Sequence, residues 1–154
     1  EMFQAGQTAM QNILTTNPNV KLVIAYAGDG GMGASQAIID EFNKGANLSV
    51  IKDLNKVAVF SVGMIGPEGM AVLDSATNKT VFRGTIQFGG DLVGRTIEYA
   101  MKMLAGEKPG VIYDPLVVVT VVDGKLSGLA VEETEFFKVP TGKPFEVKLG
   151  PPPK

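Results

Sequence analysis

The sequence contains no cysteine and no histidine. The chain therefore has no cysteine nucleophile, no serine–histidine triad, no histidine general base and no metal site built from cysteine or histidine ligands. The carboxylates form no pair that is placed for acid–base chemistry. We therefore predict that the protein is not an enzyme and that it uses no metal and no cofactor.

The chain also carries no excess of positive charge. Fourteen lysines and arginines stand against 16 aspartates and glutamates, for a net charge of −2, and the basic residues do not cluster. Binding to nucleic acid requires clustered cations that neutralise phosphates, so we exclude a nucleic-acid partner. No apolar run approaches the roughly 18 residues of a membrane span. No signal peptide opens the sequence, which begins EMFQAGQT inside an amphipathic pattern, and we expect a truncated product.

The residues that are present suit one globular domain, because 45% of the 154 residues are apolar and 19% are charged. Helical and strand-like patterns alternate along the chain. In order, they predict a helix over 6–16, a strand over 21–27, a helix from Ala34 to Phe42, a strand over 57–64, a short helix from Pro67, a strand over 80–88, a helix capped by Asp91 and closed by Gly106, and a hairpin that turns at Asp123-Gly124. The prediction is an α/β fold whose parallel sheet has helices on both faces over residues 6–120, followed by a C-terminal β-hairpin.

Ligands of parallel sheets bind at the carboxyl ends of the strands. In this sequence those ends are Tyr26 to Asp29, Met64-Ile65 and Gln87-Phe88. A hydroxylated solute needs carboxylate and amide partners together with an aromatic face, and these segments supply all three. Two simpler interpretations stay open, namely core packing for Tyr26 and Phe88, and a helix-terminal carboxylate for Asp29.

A second pattern indicates a different ligand. The segment GDGGMG, residues 28–33, has the G-x-G-x-x-G spacing of dinucleotide-binding folds, and Asp53 follows at the distance of their ribose-binding carboxylate. A nucleotide-dependent oxidoreductase domain is therefore an alternative. Two observations oppose it: a helix precedes the strand that leads into the glycines, and Asp53 lies in a segment typical of a loop or short helix.

The order of several short segments carries a resemblance to a known family. MQNIL, VIA, GMGASQAI, VAVFSVG, RGTIQ and TIEYAMKMLAGEKPG follow one another over residues 6–120. This order resembles the C-terminal half of type I periplasmic solute-binding proteins, which capture ribose, xylose, rhamnose or autoinducer-2 for ABC importers. The effector domain of LacI-type transcription regulators has the same fold and is a further alternative, although the long tail with its Asp-Gly hairpin disfavours it.

The resemblance implies two lobes that close over a solute at a hinge. Residues 1–80 would be part of the C-terminal lobe, residues 81–137 a hinge crossing with the helix and strands that complete the N-terminal lobe, and residues 138–154 an extended tail. The chain would carry only one wall of the site. The implied partners are a sugar-like ligand, the missing N-terminal half and an ABC permease. The implied location is periplasmic or extracytoplasmic, with a lipid anchor in a Gram-positive organism, and the fragment alone is expected to form homo-oligomers.

The resemblance also implies ligand-binding residues. Asp29, after Ala27 and Gly28, would supply the hydroxyl-binding carboxylate with a shift of one position. Met64 and Ile65 stand where sugar binders often have Phe-Asp, which implies a less polar ligand edge. The hinge glutamine of ribose-type members corresponds to Gln87 or, with a gap, to Phe88. The predicted ligand-binding residues are therefore Tyr26, Gly28, Asp29, Met64, Gln87 and Phe88.

Overall fold

The computed structural model describes residues 2–63, 66–88, 92–108, 116–131 and 145–146. Its helices and strands, in chain order, are α1 Met2–Thr16, β1 Leu22–Ala25, α2 Gly28–Phe42, β2 Ala58–Val62, α3 Gly66–Asp74, β3 Phe82–Phe88, α4 Leu92–Leu104, β4 Leu116–Val122, β5 Lys125–Val131 and β6 Phe145–Glu146. Two short 3-10 turns, Leu54–Lys56 and Ser75–Thr77, precede β2 and β3.

The six strands form one sheet in chain order. β1, β2 and β3 are parallel, and β4, β5 and β6 continue the sheet in antiparallel pairs. The predicted α/β fold with its parallel strands and C-terminal hairpin is confirmed. One detail differs, because the alternation predicted a parallel fourth strand. The chain leaves the sheet at Phe88 and re-enters at Leu116, which is the antiparallel partner of Phe88. A helix–strand pattern gives the type of each element but not the end of the sheet at which the chain returns.

The core lies where α2 and α3 pack against the sheet and α1 packs against α2. Alternate strand residues such as Val59 and Val119 are fully buried, and so is Phe82 at the start of β3. Met10 and Leu14, four residues apart on α1, enter the same core. The third apolar residue of this helical pattern, Ile13, is 40% exposed, so Met10 and Leu14 mark the buried side of α1.

Glycines allow the backbones of α1 and α2 to lie in direct contact. A Cβ atom on Gly33 would lie 1.9 Å from the carbonyl oxygen of Phe3, and one on Gly6 would lie 2.2 Å from that of Gly30. Residues 28–33, whose glycine spacing resembles that of dinucleotide-binding folds, are helical throughout. These residues form the first part of α2, and the absence of side chains at Gly6 and Gly33 allows the close helix contact.

Two predicted turns are confirmed by backbone geometry. Asp123 and Gly124 have positive φ angles of 50° and 75°, as a type I′ hairpin turn requires. Gly106, two residues after the end of α4, has a φ angle of 87°, and the N–H of Glu107 donates to the carbonyl of Lys102, which ends the helix in a Schellman motif. The predicted cap Asp91 lies outside the described residues.

Candidate functional site

The candidate site is the edge of the sheet at which the parallel strands β1, β2 and β3 end. We call this region the carboxyl edge. Its described residues are Tyr26–Gly31 after β1, Gly63 and Gly66–Gly69 after β2, and Gln87 near the end of β3. Because β2 lies between β1 and β3, the segments after the two outer strands start about 10 Å apart.

The predicted residues that follow β1 lie together. The side chain of Tyr26 is 94% exposed, so the interpretation of Tyr26 as a core residue is wrong. Gly28 and Asp29 form the first turn of α2, where Asp29 is partly buried. A carboxylate in a first turn interacts favourably with the helix dipole, so the helix-terminal interpretation of Asp29 holds. Asp29 also lies at the carboxyl edge, three residues after the exposed Tyr26.

The residues predicted on the other two strands are only partly described. Gln87 is partly buried at the penultimate position of β3. Phe88 ends that strand in pairing with Leu116, and its side chain lies outside the description. Met64 also lies outside the described residues. The fold thus brings the backbone of β3 and the first turn of α2 to one edge, as the sequence predicted.

Sequence reasoning did not identify Glu68. This glutamate lies in the first turn of α3 and is only 4% exposed, yet it belongs to the carboxyl edge. Its carboxylate lies against Gly28 of α2, because a Cβ atom on Gly28 would be 2.3 Å from Oε1 of Glu68. The sequence offered one signal, an acidic residue directly after a proline at a helix start. That signal does not indicate burial, since most such residues are exposed.

Two buried hydroxyl groups hold the ends of β2 and β3 together. Ser61 Oγ donates to Thr85 Oγ1 at 3.0 Å, and Thr85 Oγ1 donates to the carbonyl oxygen of Gly63 at 2.7 Å. Gly63 has a φ angle of 86°, which favours glycine. The chain is therefore fixed by hydrogen bonds at the point where it leaves β2 towards α3.

The geometry does not support the dinucleotide-binding alternative. That site needs the glycine turn and the acidic residue at the same edge of the sheet. Gly28 follows β1, whereas Asp53 precedes β2, so in parallel strands they lie at opposite edges. Asp53 instead caps the turn at Leu54–Lys56, where the backbone N–H of Asn55 donates to it and lowers its pKa.

A cavity of about 500 Å³ opens at the edge opposite the candidate site. It is lined by Ile39, Phe42, Asn43, Lys52, Asp53, Leu54, Asn55, Asn78 and Lys79. Several of its polar groups bind one another, since Asn78 donates to Asn55, and Asn55 donates to Asp53. In the described parts of the chain no group of three or more carboxylates could hold a metal ion, and no helix is long and apolar enough to cross a membrane.

Comparisons with known proteins identify the fold. No protein-family model and no curated protein sequence matches the chain. A crystal structure from Mycobacterium smegmatis matches 76% of the chain with 21% identity and a TM-score of 0.57. A second from the same organism, in complex with β-D-fucofuranose, matches 74% with 21% identity and a TM-score of 0.53. The solute-binding protein of a 5-methylthioribose transporter from Thermotoga lettingae, in complex with 5-methylthioribose, matches 75% with 19% identity and a TM-score of 0.54.

The match covers only 34% to 35% of each of these chains, so this chain spans about a third of their length. The likeness shows that the chain has the fold of the matching part of these structures, one of which is a solute-binding protein. The resemblance inferred from the order of sequence segments is therefore confirmed at the level of fold.

Proposed function

We propose that this chain carries one wall of a sugar-binding site in a two-lobed solute-binding protein that serves an ABC importer outside the cytoplasm. The observation that carries the proposal is the exposed Tyr26 beside Asp29 at the carboxyl edge of a sheet with this fold. Two of the structural neighbours are complexes with sugars, 5-methylthioribose and β-D-fucofuranose. An ABC permease is the partner that would receive the solute.

The residue types suit a neutral hydroxylated ligand. A carboxylate such as Asp29 accepts hydrogen bonds from two sugar hydroxyls, and an amide such as Gln87 both donates and accepts. The exposed ring of Tyr26 offers an apolar face to the C–H side of a sugar ring. Binding by hydrogen bonds and ring contact requires no chemical change in the solute.

In the proposed protein, an N-terminal half outside this chain would form most of the second lobe. Residues 1–80 would be part of the C-terminal lobe, and residues 81–137 would contain the hinge crossing and the helix that joins the N-terminal lobe. The apolar stripe of α4 supports this division. Val93, Ile97, Met101 and Leu104 lie on one side of the helix and are 59% to 83% exposed. Such a stripe normally packs against another element.

Sugar titrations test the proposed site. We expect 5-methylthioribose to bind the chain only weakly, with amide chemical shift changes in nuclear magnetic resonance spectra confined to the carboxyl edge. Asp29→Asn should weaken this binding by about tenfold, because a hydrogen bond to a charged group contributes roughly 1.5–3 kcal/mol. The matched control is Asp53→Asn, which changes the same residue type at the opposite edge and should leave the affinity unchanged.

Two results would contradict the proposal. Equal effects of Asp29→Asn and Asp53→Asn would show that the carboxyl edge does not bind the sugar. Micromolar binding by the chain alone, measured by calorimetry, would show that a single wall is sufficient and that the second lobe is not needed.

The exposed stripe of α4 leads to a separate expectation about the chain on its own. We expect self-association that increases with concentration in light scattering coupled to size-exclusion chromatography, because apolar patches of this kind drive association. The double substitution Ile97→Lys and Met101→Lys should shift the chain towards a monomer. Leu48→Lys is the control, since Leu48 is 76% exposed in a loop outside α4. A wild-type chain that is monomeric at all concentrations would refute this expectation.

A further inference from the structure

Strand β1 forms an open edge of the sheet. Among the described strands it pairs with β2 alone, and the N–H of Ala58, the first residue of β2, donates to the carbonyl oxygen of Lys21 at 2.9 Å. Alternate residues of a parallel strand bond to the same neighbour, so the odd-numbered residues of β1 face β2. The backbone N–H and C=O groups of Leu22 and Ile24 therefore point away from β2, towards the open side of the sheet.

The side chains at this edge are apolar and lie on one face of the sheet. Leu22 is 58% exposed, Ile24 is 76% exposed, and Tyr26, directly after the strand, is 94% exposed. Val23, between the first two, packs against the core on the other face. Folded proteins normally protect an edge strand with charges, proline or a bulge. Residues 22–27 contain no charged residue and no proline, so this edge can pair with a further strand.

The edge is complementary to itself in one antiparallel register. If Ile24 lies opposite Ile24 of a second copy, Leu22 of each copy lies opposite Tyr26 of the other. Leu22 and Ile24 direct their backbone groups outwards, as the hydrogen-bonded type of antiparallel pair requires. The exposed side chains then meet on one face, where aromatic and aliphatic pairs across strands stabilise a sheet. Lys21 lies opposite Ala27, so no like charges face each other.

We propose that a second copy of this chain occupies the β1 edge, so that two antiparallel β1 strands join the two sheets around a two-fold axis at Ile24. A two-fold contact uses the same surface of both copies and is closed, so it leads to a dimer and not to a fibre. Two short strands bury less than the roughly 800 Å² per partner of a stable interface, so the dimer is expected to be weak. The contact is separate from the apolar stripe of α4.

Disulfide trapping tests the pairing and its register, because the chain has no cysteine. Ile24→Cys is made in a chain that also carries Ile97→Lys and Met101→Lys, so that the stripe of α4 does not bring copies together. Opposed residues of a hydrogen-bonded pair have Cα atoms about 5.5 Å apart, which suits a disulfide. With oxidised glutathione as the oxidant, Ile24→Cys should form the disulfide-linked dimer at least about tenfold faster than Leu22→Cys.

Leu22→Cys is the matched control, because Leu22 lies on the same face of the same strand and is also exposed. In the proposed register the two copies of position 22 are four residues apart along the ladder, or roughly 13 Å, which is beyond the reach of a disulfide. Both side chains are exposed, so neither substitution removes core packing. Equal rates of dimer formation for the two variants, whether fast or slow, overturn the proposal.

Amide hydrogen exchange gives a second readout in the Ile97→Lys and Met101→Lys chain without a cysteine. The N–H of Ile24 would donate to the second copy, whereas the N–H of Val23 already faces β2 in the single chain. Between low micromolar and millimolar concentration, exchange at Ile24 should slow several-fold while exchange at Val23 stays constant. Exchange at Ile24 that does not depend on concentration also overturns the proposal. Neither experiment involves a sugar, so both results are independent of the proposed function.

Discussion

Replacing Gly33 by alanine should lower the free energy of unfolding by about 3 kcal/mol, although alanine forms helices better than glycine. The added Cβ would lie 1.9 Å from the carbonyl oxygen of Phe3 and 2.8 Å from the backbone nitrogen of Gln7. Both atoms belong to the backbone of α1, so no side-chain rotation relieves the clash. The two helices must separate, and the burial of Met10 and Leu14 beneath them is then reduced.

Gly30→Ala is the matched control for this prediction. Gly30 lies three residues earlier in α2, and a Cβ atom there meets nothing within 4 Å. The substitution should stabilise the chain by about 0.5–1 kcal/mol through the lower conformational entropy of the unfolded state. Urea unfolding followed by circular dichroism measures both changes. If Gly33→Ala is as stable as Gly30→Ala, the close contact of α1 and α2 is not part of the folded protein.

Phe82→Ala should have the largest effect on stability, with a loss of about 3–5 kcal/mol. The ring of Phe82 is fully buried at the start of β3, beneath Gly31 of α2. Its removal leaves a cavity between the helix and the sheet that the surrounding backbone cannot fill. A loss of this size is a large fraction of the roughly 5–15 kcal/mol that stabilises a typical domain.

Tyr26→Ala is the aromatic control, because Tyr26 is 94% exposed and its loss should change stability by less than about 0.5 kcal/mol. A double-mutant cycle sharpens the test. A Cβ atom on Gly31 would lie 2.5 Å from Cε2 of Phe82, so Gly31→Ala should be destabilising with phenylalanine at 82 and better tolerated with leucine there. Additive effects would mean that Gly31 and Phe82 do not touch.

Short-range patterns in the sequence were sufficient for most of the fold. The predicted strand over 21–27 contains β1, and the predicted strand over 57–64 contains β2. The hairpin at Asp123-Gly124 was predictable because few residue pairs adopt the two positive φ angles of its turn. In each case the deciding property lies within a few neighbouring residues.

The glycines at 28–33 could not be interpreted in the same way. Glycine is suited equally to a loop that approaches a phosphate and to a helix that approaches another backbone. The choice depends on α1, whose Phe3 and Gly6 lie more than twenty residues earlier in the chain. The predicted helix therefore began near Ala34, whereas α2 begins at Gly28.

The candidate site was predictable only where it depends on strand order. Tyr26, Asp29 and Gln87 reach the same edge because β1 and β3 are parallel to β2. Glu68 was missed because its burial results from contact with Gly28, which belongs to a different helix. No local property of the segment around Pro67 distinguishes a buried glutamate from a solvated one.

The pairing of Phe88 with Leu116 has a consequence for the connection that contains α4. The two residues lie directly opposite each other in an antiparallel ladder, so the chain leaves β3 and enters β4 at neighbouring points. The register of this ladder therefore sets where the connection starts and ends, independently of how α4 itself packs.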